Sequence, residues 1–296
     1  MRPLMDKPET TPSEDFVPSR PLVDFWRMFA ANRAALLGLF LALVVTAVTL
    51  FGPMIYPTDP FELVGAPMSP PGVEFPLGTD YLGRDVLAGI VHGARVTVLV
   101  GFSATLCMII IGLIVGVVAG FYGGWVESLL MRVTEFFQVL PGLLLAMVLV
   151  ALFSPSLLTI IISIGVVSWT GVARLTRAEF LKVKTREYVL AERAMGAKDG
   201  SIMWRVILPN CLPPLVVAAA LGVGVSVLFE AALSFLGLGD PNAYSWGYMI
   251  GSSRDFIWET WWAVTFPGLA IFITVLSVSL IGDGLNDALN PKLRLR

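Results

Sequence analysis

Charged and metal-binding side chains are scarce in this sequence. Charged residues make up 14% of the 296 positions, hydrophobic residues make up 56%, and the mean hydropathy is +0.80. These values exclude an ordinary water-soluble globular domain and predict an all-α polytopic membrane protein. The chain has one histidine, His92, and no second histidine or cysteine lies near it, so no metal site is expected. Cys107 and Cys211 are far apart and are interpreted as small packing residues rather than a disulfide.

The sequence also lacks a phosphate-binding loop. The motif G-x-x-x-x-G-K-[S/T] occurs nowhere, so the chain is expected to bind no ATP or other cofactor and not to act as an enzyme. Any energy that the chain uses must then come from a partner or from an ion gradient. A gradient-driven carrier usually shows several ionisable residues at mid-membrane and an inverted repeat, and neither is evident here. An intramembrane enzyme is disfavoured because the spans hold no clustered His, Cys or paired acids.

Six stretches of low charge predict six membrane helices, since a span needs about 20 apolar residues. The uncharged run from 136 to 173 is too long for one helix and is broken at Ser154-Pro155-Ser156, which predicts a tight hairpin of the third and fourth spans. The predicted order is a cytoplasmic tail with an interfacial helix (1–33), the first span (34–58), an extracytoplasmic loop (59–95), spans two to four (96–173), a cytoplasmic loop (174–205), the fifth span (206–232), an extracytoplasmic loop (233–259), the sixth span (260–282) and a cytoplasmic tail (283–296).

Two local patterns refine this arrangement. Gly112, Gly116 and Gly120 repeat at intervals of four, which allows another helix to approach the second span closely. The alternative is that membrane helices are simply rich in glycine. Near the N-terminus, a polar tail over 1–16 precedes a short amphipathic helix over 24–33, which is expected to lie at the inner interface.

The positive charges indicate which side of the membrane each loop faces. Seventeen of the 20 lysines and arginines lie in segments that share one side, whereas only Arg84 and Arg254 lie in the opposite loops. Because positive residues accumulate on the cytoplasmic side, both termini and the loop over 174–205 are predicted to be cytoplasmic.

The passage from 186 to 210 is the one long polar stretch between two apolar segments. It predicts a helix over 187–195, with Tyr188, Ala191 and Met195 on one face. Gly196 is expected to end this helix in a left-handed conformation, and Asp199 is expected to cap a second short helix. Pro209 marks the beginning of the next span.

This passage resembles the EAA loop of the permease subunits of ABC importers. The family pattern is E-A-A, three residues, G, nine residues, I, one residue and L-P. Gly196, Val206, Leu208 and Pro209 stand at the later positions of that pattern, whereas the first triplet reads Leu-Ala-Glu at 190–192. The resemblance implies that this loop carries a coupling helix seated in a cleft of a cytoplasmic ATPase. The residues expected to take part are Glu187, Tyr188, Ala191, Glu192, Arg193, Met195, Gly196, Ala197, Leu208 and Pro209.

Three further motifs resemble the dipeptide and oligopeptide class of these permeases. They are PLGTDYLGRDVL at 76–87, LSFLGLG at 233–239 followed by Trp246-Gly247, and GDGLNDALNP at 282–291. The resemblance implies the type I ABC-importer permease fold in a bacterial inner membrane. It also implies a second homologous permease, two ATPase subunits that hold ATP and Mg, and an extracytoplasmic binding protein, with no nucleic acid. Nickel complexes, glutathione and sugar-linked solutes stay open as alternative substrates.

Several polar residues near the outer side have two interpretations each. Glu230 is an isolated acid near the end of the fifth span, and it either meets a substrate amino group or reaches solvent. Asp80, Arg84 and Asp85 either hold a local turn or grip a peptide or the binding protein, and the turn is favoured. The tryptophans at 258, 261 and 262 are interpreted as an interfacial belt.

Overall fold

The computed structural model describes residues 21–289, and within that range the chain is helical with two isolated β-bridges and no strand. The predicted polar tail over 1–16 and the end of the C-terminal tail lie outside the described residues. The helices are α1 (Pro21–Ala31), α2 (Arg33–Ile55), α3 (Val86–Tyr122), α4 (Gly124–Val139), α5 (Gly142–Phe153), α6 (Leu157–Lys184), α7 (Glu187–Ala194), α8 (Asp199–Ser201), α9 (Leu208–Phe235), α10 (Trp246–Ser253) and α11 (Trp261–Leu289), with a π-helix at Ile202–Ile207 between α8 and α9.

Five helical segments are long and apolar enough to cross a membrane: α2, α3, α6, the continuous segment Asp199–Phe235, and α11. The pair α4 and α5 makes a sixth span if it is counted as one, and the two helices meet at 87°. The all-α fold is confirmed, with five or six spans in residues 21–289 according to whether this pair is counted as one, and the predicted third span is bent rather than straight. The bend falls at Leu140 and Pro141, because proline disfavours a helical conformation at the residue before it, and Leu140 is extended there.

The predicted hairpin between the third and fourth spans is present. Helix α5 ends at Phe153, and Ser154 takes a positive φ of 67°. Ser156 then caps α6, with its side chain accepting a hydrogen bond from the backbone N–H of Thr159 at 3.2 Å. The chain therefore reverses over three residues and places α5 beside α6.

Helices α3 and α6 form the central pair of the fold, and the glycine stripe lies between them. A Cβ atom at Gly112, Gly116 or Gly120 would stand 2.4–2.6 Å from side chains of α6, namely Val172, Thr176 and Phe180. The predicted close helix approach is confirmed. At the end of this helix pair nearest α7, residues of α3 and α6 form a buried cluster that also includes residues of α7 and α9.

Two helices extend beyond the predicted spans. Helix α3 begins at Val86 rather than 96, because Asp85 caps it by accepting from the backbone N–H groups of Leu87 and Ala88. With 37 residues it is about 56 Å long, well beyond a hydrocarbon core of about 30 Å. Helix α11 continues to Leu289 rather than ending at 282.

The segment over 56–85 and α10 together form a structured cap at one end of the helices, called the outer cap after the side predicted for it. Trp246 donates from its indole N–H to the Ile90 carbonyl at 2.9 Å, and Trp262 donates likewise to the Thr79 carbonyl at 3.0 Å. Trp262 is buried, so its assignment to an interfacial belt is wrong, whereas Trp258 is exposed. The cap is thus fastened to the ends of α3 and α11.

The predicted amphipathic helix near the N-terminus is confirmed as α1. Its Phe29 is buried against Gly284 of α11, while Trp26 is exposed. Asn32 caps α2, and its side-chain amide donates to Asp287 at 2.9 Å. Helix α1 is therefore held to the end of α11.

Candidate coupling site

The predicted coupling helix is present as α7, one residue shorter than expected. It follows α6 after two residues and ends in a Schellman motif, in which the N–H of Ala197 bonds the Glu192 carbonyl and the N–H of Gly196 bonds the Arg193 carbonyl, both at 3.1 Å. Gly196 has a φ of +83°, so the predicted left-handed end of this helix is confirmed.

One buried side chain fixes α7 to the rest of the fold. Val189 is the only buried residue of this helix, and it joins a cluster with Phe121 of α3, Phe180 of α6, and Ile202 and Ile207 of the π-helix. The sequence analysis missed Val189, because one valine on a short helix does not show which face is buried. The cluster fixes which face of α7 points away from the protein.

The site carries several large apolar side chains that are exposed. Met195 is 74% exposed, and Tyr188, Leu190 and Trp204 are also exposed. Tyr188 and Met195 were predicted to share a face, whereas Leu190 and Trp204 were missed. Their signal was the presence of bulky apolar residues within a polar passage. Exposed apolar patches rimmed by polar residues are typical of protein interaction sites.

Two charged side chains of α7 have no ion-pair partner in the described part of the chain. Glu187 and Arg193 are exposed, and within residues 21–289 neither forms an ion pair. The remaining predicted residues divide by burial. Ala191, Gly196 and Pro209 are exposed, whereas Glu192, Ala197 and Leu208 are half-buried. The ten predicted residues thus lie on α7, on the turn that follows it and at the start of α9.

The predicted second short helix is replaced by the start of a long one. The segment Asp199–Phe235 runs for 37 residues without a break and includes the π-helix. Asp199 is the first residue of α8 rather than its cap, and Lys198 occupies the cap position with no side-chain hydrogen bond. Pro209 lies in the first turn of α9, in agreement with its prediction as the beginning of the next span, although the π-helix precedes it without a break.

Glu230 lies in the protein interior, with 2% of its surface exposed. Its Oε1 atom accepts from the Ser234 hydroxyl at 2.7 Å, and the hydroxyl groups of Thr97 and Ser245 lie against the same carboxyl group. The interpretation in which this side chain reaches solvent is wrong. Contact with a substrate amino group stays a prediction, and it requires a conformation in which α9 and α10 separate.

Asp80, Arg84 and Asp85 organise the outer cap. The Asp80 Oδ1 atom accepts from the backbone N–H groups of Leu82 and Arg84 at 2.8 and 2.9 Å, so the favoured local turn is confirmed. The Arg84 guanidinium does not close this turn. It donates to the Tyr248 hydroxyl of α10 at 3.2 Å, while Asp85 caps α3.

Burial and hydrogen bonding shift two pKa values in the cap. Burial raises the pKa of the Asp80 carboxyl above its ordinary value of 3.8. The Tyr56 hydroxyl donates to the Asp85 carboxylate, and this hydrogen bond raises the pKa of Tyr56 to about 12. The Tyr56–Asp85 hydrogen bond joins the two ends of the loop over 56–85, and Asp80 organises a turn within it.

A cavity of about 730 Å³ opens beside α4, and its lining is largely charged. Glu127 of α4 and Arg177 of α6 form an ion pair at this cavity, with the Arg177 Nε atom 2.6 Å from the Glu127 carboxylate. Arg132 and Glu135 line the same space. The pair ties the bent third span to the central helix α6, and the sequence analysis did not identify it.

These features are those of a chain with several membrane-spanning helices and a short exposed helix, α7, between two of them. The chain belongs to the family of binding-protein-dependent transport system inner membrane components, whose model matches residues 108–295. The N-terminal TM domain of oligopeptide transport permease C matches residues 20–71.

Curated relatives match along almost the whole chain. The di/tripeptide transport system permease protein DppC of Pseudomonas aeruginosa is 41% identical, with 99% of each chain covered. The dipeptide transport system permease protein DppC of Escherichia coli is 43% identical over 94% of this chain and 95% of its own. That of Haemophilus influenzae is 40% identical, with 94% and 97% covered.

The fold is also similar to a solved one. A chain of the MetNI methionine ABC transporter, in an inward-facing conformation, superposes with a TM-score of 0.58 at 23% identity. The match covers 68% of this chain and 96% of that chain. At this identity the likeness supports the permease fold.

Proposed function

We propose that this chain forms half of the transport pathway of an ATP-driven importer for dipeptides or oligopeptides. The names of the relatives, which are dipeptide or di/tripeptide permeases at 40–43% identity, support the peptide class. Near-complete coverage of these relatives supports a shared subunit role. The chain pairs with a second permease and receives peptides from an extracytoplasmic binding protein. It holds no cofactor, and ATP and Mg bind to the partner subunits.

The coupling site is the surface of α7 together with Trp204 and the first two residues of α9, Leu208 and Pro209. The observation that carries this assignment is that Val189 anchors α7 from one side while Met195 and Tyr188 stay exposed on the other. An exposed apolar face with unpaired charges around it matches the composition of a protein interface. We assign this surface to a cytoplasmic ATPase, and the positive-inside charge pattern then places both termini in the cytoplasm.

Two matched substitutions test the coupling site. Met195→Glu puts a charge on the most exposed large apolar side chain of the site, and Val73→Glu makes the same change at a fully exposed position of the outer cap. We expect Met195→Glu to lower the affinity for the ATPase subunits by about tenfold, since a central interface side chain contributes about 1–2 kcal/mol. Val73→Glu is expected to leave that affinity unchanged.

The measurement is quantitative mass spectrometry of the subunits that co-purify with a tagged chain in mild detergent. Wild type should recover ATPases that contain phosphate loops and a second permease. Equal recovery with Met195→Glu and with Val73→Glu would exclude α7 as the docking surface. A wild-type chain that purifies alone and still transports after reconstitution would exclude the whole proposal.

A further inference from the structure

The chain connects the coupling site to the fifth span through a π-helical turn. Residues Ile202–Ile207 form this turn, and the N–H of Leu208 bonds the carbonyl of Met203, five residues earlier. A π turn holds one residue more than an α-helical turn. Such turns are rare, and they occur frequently at functional sites.

The spacing of buried residues shows that packing holds this extra residue in place. Ile202, Ile207, Cys211 and Leu215 are all buried in one cluster, at intervals of five, four and four. In an α-helix each residue turns by about 100°, so an interval of five would place Ile202 about 140° away from Ile207. The π turn brings both isoleucines to the same core.

The residues after the turn explain why it forms there. Pro209 has no N–H group, so the Arg205 carbonyl has no α-helical donor four residues later. The Val206 carbonyl instead accepts from the side-chain amide of Asn210 at 2.7 Å. An α-helical bond pattern is therefore already incomplete at this point, which lowers the cost of the π turn.

The position of the turn links two moving parts of the proposed machine. On its N-terminal side, Ile202 packs in the cluster that anchors α7 through Val189. On its C-terminal side, Ile207 continues into α9, which crosses the membrane. Gly200 lies just before the turn. A Cβ atom at Gly200 would meet no atom within 4 Å, so this position leaves room for rearrangement.

We propose that the π turn is a register switch between the ATPase and the fifth span. When the ATPase moves α7, the extra residue shifts toward Gly200 and the start of α8. Each residue between the old and the new position of the π turn then rotates by about 100° about the helix axis, while the helix stays continuous. This shift moves Trp204 and Ile202 relative to α9 and transmits the motion into the membrane. The inference rests on the proposed coupling site and specifies how that site acts.

The test removes one residue from the turn without disturbing its buried ends. Deleting Arg205, an exposed residue whose side chain forms no hydrogen bond or ion pair within 21–289, shortens the interval between the two isoleucines to four. An α-helix then places both on one face, so the variant is expected to fold. Arg205→Ala is the matched control, because it removes the side chain and keeps the length. A third variant combines the deletion with an alanine inserted between Met203 and Trp204.

The readouts are recovery of the ATPase subunits by co-purification and ATP-driven uptake of radiolabelled alanyl-alanine into proteoliposomes that contain the full complex. We expect the deletion to keep ATPase recovery within about twofold of wild type and to lower uptake by about tenfold, as the loss of coupling between two sites requires. Arg205→Ala and the length-restored variant should both transport as wild type does.

Other outcomes overturn the switch. Wild-type uptake by the deletion variant would show that the extra residue is not needed, and an equal loss with Arg205→Ala would assign the effect to the side chain. Loss of ATPase recovery in the deletion variant alone would make the turn a static spacer, with the coupling site still supported. Failure of the wild-type chain to recover any ATPase would instead remove the proposed function and the switch together.

Discussion

Gly196 shows how one backbone conformation defines the coupling site. Its φ of +83° closes the Schellman motif after α7 and directs Ala197 back toward the core. Non-glycine residues pay about 1–2 kcal/mol in this region. This end of the helix was predictable from the sequence, because glycine after a short amphipathic stretch is a strong stop signal.

Replacing Gly196 with valine should weaken coupling. We expect Gly196→Val to lower ATPase recovery by about tenfold, because about 1–2 kcal/mol of backbone strain displaces α7. Membrane insertion should be unchanged. Gly268→Ala is the control, since Gly268 of α11 has no positive φ and a Cβ atom there would meet no atom within 4 Å. Normal uptake of labelled dipeptide by Gly196→Val would contradict this role.

Asp80 offers a test of the outer cap that depends on pH. Burial raises its pKa above 3.8, so the protonated form is favoured in the folded state. The stability that this preference contributes is complete below pH 3.8 and is lost as the pH rises through the folded-state pKa. Asp80→Asn keeps an acceptor for the N–H groups of Leu82 and Arg84 and carries no charge.

We therefore expect Asp80→Asn to gain stability relative to wild type as the pH rises from about 4 to neutrality. Asp80→Ala should be less stable at every pH, since each buried N–H group left without an acceptor costs about 1–3 kcal/mol. The measurement is the midpoint of thermal unfolding in mild detergent. A difference between wild type and Asp80→Asn that does not change with pH would contradict the assignment.

At the scale of elements, the pairing of α3 with α6 depends on the glycine stripe. A Cβ atom at Gly116 would stand 2.4 Å from the Thr176 Cβ and 2.6 Å from the Ala173 carbonyl oxygen. We expect Gly116→Ala to lower the free energy of unfolding by about 1–3 kcal/mol, the usual cost of overpacking. Denaturant unfolding in detergent measures this loss.

Gly171 provides the matched control for that substitution. It lies within α6, and a Cβ atom there would meet no atom within 4 Å. Gly171→Ala should leave stability unchanged or raise it slightly, because alanine is the better helix former. An equal loss with both substitutions would mean that the close contact at Gly116 is not responsible.

The same elements show what the sequence could not reveal. Glycines spaced four residues apart indicate a helix contact face directly. The length of α3, by contrast, depends on the Asp85 cap, because hydropathy locates the apolar part of a span and not its ends. The bend at Pro141 lies inside an uninterrupted apolar run, so the charge pattern gave no sign of it. The π turn depends on which isoleucines are buried, and that is decided by tertiary packing.

At the scale of the whole molecule, the coupling site and the outer cap occupy the two ends of the helical bundle. The cap is fastened by Trp246, Trp262 and Arg84, whereas the surface of α7 is left exposed. Glu230 joins α9 to the cap near Ser245, so it can sense a separation of α9 from α10. A fastened cap at one end and an exposed helix at the other agree with the proposed importer, in which α7 meets a cytoplasmic ATPase.

Uptake by the reconstituted complex tests directly whether this chain is part of an ATP-driven importer. Proteoliposomes that contain this chain with its co-purified partners would be supplied with labelled dipeptide and binding protein outside and ATP inside. For an ATP-driven importer coupled through α7, we expect uptake that depends on the enclosed ATP, persists with a protonophore and falls with Met195→Glu. Uptake that survives without ATP and collapses with the protonophore would contradict it and would identify a gradient-driven carrier.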